Sequence, residues 1–195
     1  MSSKPFVDRV FANLPSAGGS FSFEAWKHSG QPTKEGVGVL PVSGVDVDAM
    51  AARIMDVDHY HGNVDHVEEC RTVADGAYSP PQSVRFYQRI KIPVLGSVHH
   101  ELVLEDLGER DGWRVLAWHQ HKGTDALDKK KGARSEYNVG AWLLKPDAVA
   151  YALSSAPRRD DVGRLKFAAL TKGADAGATK VVQANIEGML RWSKR

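Results

Sequence analysis

Between residues 45 and 104 the chain sets down a short amphipathic helix, a compact His/Tyr-rich turn and then strictly alternating strands, an order that few folds accept. The helix runs from Val45 to Asp56, and the Ser43-Gly44 break before it lets Asp46 or Asp48 cap it. The turn is Val57-Asp58-His59-Tyr60-His61-Gly62-Asn63, and Val64-Asp65-His66-Val67-Glu68 opens the first strand of the series. In Val84 to Ile92 the even positions are largely apolar and the odd ones largely charged, the period of a half-buried strand. An antiparallel sheet entered through a small helix pair and closed by a long last helix wraps around a hollow, because one helix fills only one strip of a curved sheet.

The flanking segments extend this order. Phe6, Val7, Val10, Phe11 and Leu14 stand at helical spacing after Pro5, and Pro15 to Gly19 ends that helix. Phe21 to Trp26 and Val37 to Val42 read as a first hairpin. Pro93-Val94-Leu95-Gly96 bends the chain into a strand over Val98 to Leu107, Gly108 to Gly112 reads as a five-residue hairpin loop, and Trp113 to His121 returns. That loop sets Leu107 opposite Trp113, Leu104 opposite Leu116, Leu102 opposite Trp118 and His100 opposite Gln120. After a charged loop from Lys122 to Lys131, Glu136–Leu144 and Asp147–Leu153 form a last hairpin turned at Lys145-Pro146. Its inner face is either Tyr137/Val139/Leu143 or Trp142/Leu144. A long helix over Asp175 to Trp192 carries Ala178, Val182, Ile186 and Met189 on one stripe, with Arg191, Lys194 and Arg195 where the helix dipole favours cations.

The order of elements, and the Asp56-x-x-x-Tyr60 turn after the first central helix, resemble the START-like or SRPBCC (helix-grip) superfamily. The resemblance implies an α+β fold: a curved antiparallel sheet wrapped around a long C-terminal helix, with two short helices after the first strands. It takes in residues 1–195 as one domain, with 1–19 as an N-terminal helical extension that packs on it. Gly163 and Leu165 fit the segment that follows the last strand in such chains, but Lys166 stands where a proline is usual. The departure counts against the lipid-transfer subgroup more than against the fold.

Composition narrows the function classes. A net charge of +2 over 195 residues lacks the basic bias of a nucleic-acid binder. The lone Cys70 cannot close an internal disulfide, which suits a reducing, cytoplasmic setting. No apolar run approaches the ~18 residues of a bilayer span, and Met1 to Phe6 lacks the apolar core of a secretion signal.

The expected inner faces hold Phe86, Ile90, Leu102, Leu104, Leu116 and Trp118, with Gln88, His100 and Gln120 among them. Apolar walls with a few placed polar groups describe a site for a hydrophobic molecule with one polar end; the plain alternative is a packed core with a polar rim. The resemblance places Met55 and Tyr60 over one mouth of the hollow and the stripe of Val182, Ile186 and Met189 against it. The resulting expectation is non-enzymatic binding or transport of a lipid-like molecule, without cofactor or metal. The alternative is a polyketide cyclase-, dehydratase- or hydrolase-like enzyme using pocket acid–base groups, with His100 and Glu136 as the first candidates. A third reading is a partner-binding domain whose cavity is filled. Covalent catalysis has no support, since neither a Gly-x-Ser-x-Gly elbow, a phosphate loop nor a dinucleotide fingerprint occurs. His119 and His121 share a strand face, with His99 and Glu101 expected opposite, a zinc-like set of types; solvated strand-end histidines on the outer face are the favoured reading. Lys129-Lys130-Lys131 with Arg134 offers a transient contact to an acidic membrane surface or partner, although beside Asp125 and Asp128 it reads first as a solvated loop.

Overall fold

The computed structural model describes residues 2–92, 95–122 and 126–195, with side chains described in these ranges except at 170–176. In chain order the elements are α1 (Lys4–Ala12), β1 (Ser22–Trp26), β2 (Glu35–Pro41), α2 (Val47–Met55), a 3-10 turn (Val57–His59), β3 (Val67–Thr72), β4 (Ser83–Ile92) and β5 (Gly96–Arg110). There follow β6 (Trp113–Gln120), a 3-10 turn (Lys129–Lys131), β7 (Ala133–Lys145), β8 (Ala148–Pro157), α3 (Arg159–Val162) and α4 (Arg164–Ser193). The eight strands make one sheet in the order β1-β2-β8-β7-β6-β5-β4-β3. Each neighbouring pair is antiparallel. Beyond the end of β6, the start of β7 also meets β5 in a short parallel contact, Val98 opposite Ala133 and His99 opposite Arg134, which curls the sheet.

Two apolar layers follow from this curl. On the concave side, α2 and the second half of α4 bury Met50, Ile54, Val182, Ile186, Met189 and Trp192 against the inward side chains of the strands. Asp46 caps α2, its carboxylate accepting from the Ala49 N–H at 2.9 Å. On the convex side, α1 buries Phe6, Val7 and Val10 in a second cluster with Val39, Trp113, Val115 and Leu143. Alanines at 141, 148, 150 and 152 in that cluster let the helix come close to the sheet. Glu35, fully buried, fixes α1 in place: Arg9 donates to its two carboxylate oxygens at 2.8 and 2.7 Å, and the Trp26 indole N–H donates at 2.9 Å. Pairing and full hydrogen bonding are what make such a buried charge tolerable.

The structure departs from the sequence expectations in three places. The β5–β6 connection is a two-residue turn, Asp111-Gly112 with φ of 51° and 76°, and not a five-residue loop. With a bulge between Asp106 and Gly108, it sets Leu104 opposite Trp118 and Leu102 opposite Gln120, a slip of two residues. An even slip keeps every side chain on its expected face. Second, α4 begins at Arg164, so residues 164–167 are helical and the helix starts well before Asp175. Third, β7 and β8 are longer than expected, and Trp142 and Leu144 face inward while Val139 and Leu143 face α1. The bend expected at Pro93-Val94 lies outside the described residues.

Candidate functional site

The concave face gathers inward positions from the strands β3 to β8, from α2 and its following turn, and from α4. Phe86 from β4, Leu102 and Leu104 from β5, and Leu116 and Trp118 from β6 join Tyr60 from the turn after α2 in one buried cluster. Val182, Ile186 and Met189 of α4 cover it, and Met55 and Ile90 pack at its edge half-buried. The apolar residues expected around a hollow are thus brought together.

Aromatic rings pack against one another within the inner cluster. Tyr151 lies 4.4 Å from Trp142 and 5.6 Å from Trp118 between ring centroids. Tyr60 meets Phe86 at 6.3 Å and Trp192 at 5.9 Å, both edge-on, and its hydroxyl donates to the Ile54 carbonyl at 2.5 Å. Gly140 allows the close approach of Trp118, since a Cβ there would stand 2.0 Å from the indole. Burial raises the ionisation of Tyr60 and Tyr151 above the ordinary tyrosine value and pushes the Cys70 thiol up, so none of the three is a nucleophile at neutral pH.

One polar chain crosses this apolar face. The His100 ring lies within hydrogen-bond distance of Gln88, Nε2 to Oε1 at 3.0 Å, and the Asn138 amide nitrogen stands 3.5 Å from both ring nitrogens. The Trp118 indole N–H donates to the Asn138 amide oxygen at 2.8 Å. Gln120 turns to the strand rim, its amide donating to the carbonyls of Ser135 and Glu136 at 3.2 and 3.1 Å. Burial lowers His100 from the ordinary 6.5 to about 3, with His99 contributing further repulsion, so the ring is neutral across physiological pH. Glu136 is not its partner. That side chain is exposed, and its carboxylate lies 3.8 Å from Arg158.

Two surface hollows lie at the same end of the molecule, of about 400 and about 510 Å³. Their linings include Ser97, Lys129, Asp161 and Lys166 in the first, and Arg134, Glu136, Arg158 and Phe167 in the second. Both are polar, and neither is lined by the inward residues named above. Asp161 binds Arg134 through three donors, the closest side-chain one at 2.8 Å, which holds the carboxyl well below the usual range. Lys129 adds a contact to Asp161 at 3.6 Å, and Asp128 caps the lysine turn by accepting from the Lys130 N–H at 2.9 Å. Arg134 is therefore part of a buried ion pair and not of the lysine run's surface, and Asp125 lies outside the described residues.

The outer-face histidines differ from expectation. His99 and His119 are buried and not solvated, His99 beside the Tyr87 hydroxyl at 3.2 Å and His119 3.7 Å from Glu105. The register slip puts His119 opposite Val103, while the backbone N–H of His121 donates to the Glu101 carbonyl. Among the described residues no group of three or more His, Cys, Asp or Glu comes together in a way that could hold a metal ion. Burial lowers His119 to about 4.

Sequence reasoning missed Asn138, Tyr151 and Trp192 and left Trp142 open. Parity along β8 and the α4 stripe carried a signal for Tyr151 and Trp192. For Asn138 the only signal was its parity with Gly140 and Trp142, two and four residues on.

No family model matches the chain, and no curated protein matches it by sequence. Solved structures do. The STAR-related lipid transfer protein of Xanthomonas axonopodis superposes with a TM-score of 0.71 at 12% identity, covering 93% of this chain and 97% of that one. Human STARD10 gives 0.72 at 13% identity over 98% of this chain and 79% of its own. The Zhui aromatase/cyclase of Streptomyces sp. R1128 gives 0.56 at 12% identity over 90% and 94%. No described helix is long and apolar enough to cross a membrane. The curled antiparallel sheet, its α2 entry and the long closing helix, together with these superpositions, identify the chain as a protein of the START-like, helix-grip fold.

Proposed function

We propose that the chain holds a hydrophobic small molecule against the concave face of its sheet, beneath α4, as a carrier or sensor and not as an enzyme. The observation that carries this reading is the Gln88–His100–Asn138–Trp118 chain set into an otherwise apolar interior. Buried polar groups cost free energy unless hydrogen-bonded, and a few of them among apolar walls are what orients a ligand with one polar end. The fold supports the same reading, since proteins named for lipid transfer share it. In this reading the ligand lies against the packed rings of Trp118, Trp142 and Tyr151 and enters beside half-buried Gln88 and Ile90.

The same geometry disfavours the acid–base enzyme. A proton-transfer group works best with a pKa near the working pH, and His100 at about 3 is far from it. Glu136 points to Arg158 at the surface and supplies no second group beside the imidazole.

Native mass spectrometry of protein purified from cells tests the proposal. Bound mass that organic extraction removes, and that an added hydrophobic extract restores, is the expected result. Protein that carries no such mass and takes none up contradicts the proposal.

A further inference from the structure

Resting on the reading of the concave face as a ligand site, we infer that the ligand is uncharged: a hydrophobic body bearing a hydroxyl or carbonyl group that lodges against Gln88, His100 and Asn138. Among the described residues, the charged side chains buried deeply are Glu35 and Arg134, with the Asp161 carboxylate beside the latter. Glu35 is taken up by Arg9 and Trp26 under α1, and Arg134 by Asp161. Neither pair belongs to the inner face, so the concave interior offers no described countercharge.

The polar groups that remain are neutral and have a readable donor and acceptor pattern. The Gln88 carbonyl oxygen needs a donor, so the His100 Nε2 carries the proton at their 3.0 Å contact and Nδ1 is left as an acceptor. Asn138 spends its amide oxygen on the Trp118 N–H, which leaves its amide nitrogen as a donor. That nitrogen reaches the imidazole only at 3.5 Å, the outer limit of a hydrogen bond, so the pair accepts a better partner between them. A ligand hydroxyl matches both groups, donating to Nδ1 and accepting from the amide. A ligand carbonyl matches the amide donors of Asn138 and Gln88. A carboxylate or phosphate would find amide dipoles alone, and the buried imidazole resists taking the proton that would balance it.

The test uses the full chain at pH 7.5 and four probes of one chain length: 1-dodecanol, methyl laurate, laurate and dodecane. Isothermal titration is expected to show the alcohol and the ester binding at least about tenfold more tightly than laurate. Gln88→Leu, which removes one amide donor and the oxygen that fixes the His100 tautomer, should bring the alcohol and the ester several-fold closer to laurate in affinity. Laurate binding as tightly as the alcohol, or more tightly, overturns the headgroup inference but leaves the concave face a ligand site. Failure of every probe to bind, dodecane included, overturns the ligand-site reading itself.

Discussion

At Gly140 a missing side chain decides how the interior packs. A Cβ would fall 2.0 Å from the Trp118 ring and 2.6 Å from the Ala152 carbonyl oxygen, so Gly140→Ala must push the indole off Asn138. Overpacking of this kind costs about 1–3 kcal/mol, which urea denaturation will read as a lower midpoint. Gly188→Ala is the contrast: its Cβ would meet nothing nearer than the Arg191 guanidinium at 3.7 Å. Relief of the glycine penalty within α4 should raise stability there by up to about 1 kcal/mol. The buried histidines set a pH dependence. His100 and His119 titrate at about 3 and about 4 in the folded chain against an ordinary 6.5, so the unfolded chain binds more protons between those values. Stability therefore rises with pH through that window, is complete above about 6.5, and falls by about 1.4 kcal/mol per pH unit for each neutral histidine below it. Burial lowers His99 as well, so denaturation curves at pH 7.5, 6 and 5 should show a slope of this sign, and His100→Gln should remove part of it. Which single residues line the interior was legible on β4 to β6, where parity alone places Phe86, Leu102 and Trp118. It was not legible on β7, because α1 covers the outer face there and both faces are apolar.

Among the elements, α1 is tied to the sheet by chemistry as well as by apolar contact. Arg9→Ala leaves the fully buried Glu35 with only the Trp26 donor, and an unpaired buried carboxylate costs about 3 kcal/mol or more. Adding Glu35→Gln should recover part of that loss, since the charge goes while an oxygen remains for the Trp26 N–H. Thermal unfolding of the two variants checks both statements. The start of α4 escaped the sequence because its first turns carry no apolar stripe: Leu165 is 89% exposed, and Lys166 and Ala168 are exposed beside it. Among the described side chains, those of α4 join the inner cluster from Val182 on, where the helix meets the sheet. The hairpin after β5 escaped for another reason. Asp111 and Gly112 form the turn by themselves, and the bulge beside Gly108 absorbs a residue that looked like loop.

On the scale of the whole molecule, the order of elements was readable because helix, turn and alternating strands can be joined compactly in few ways. The curved sheet was expected from the resemblance, but the contact at the start of β7 was not readable. There β7 reaches past β6 to β5 and pairs Arg134 with His99, which is buried where a wet outer face was expected. The central claim, that the concave face receives a hydrophobic molecule, makes tryptophan position the sharpest readout. Trp118 and Trp142 line the inner cluster, while Trp113 sits in the outer one beneath α1. The deciding measurement is fluorescence quenching by a dibrominated long-chain alcohol in variants that keep one of these three indoles and carry phenylalanine at the remaining four of the five tryptophans. Saturable quenching of Trp118 and Trp142, with Trp113 untouched, is the predicted result; equal, unsaturable quenching of all three would contradict the account.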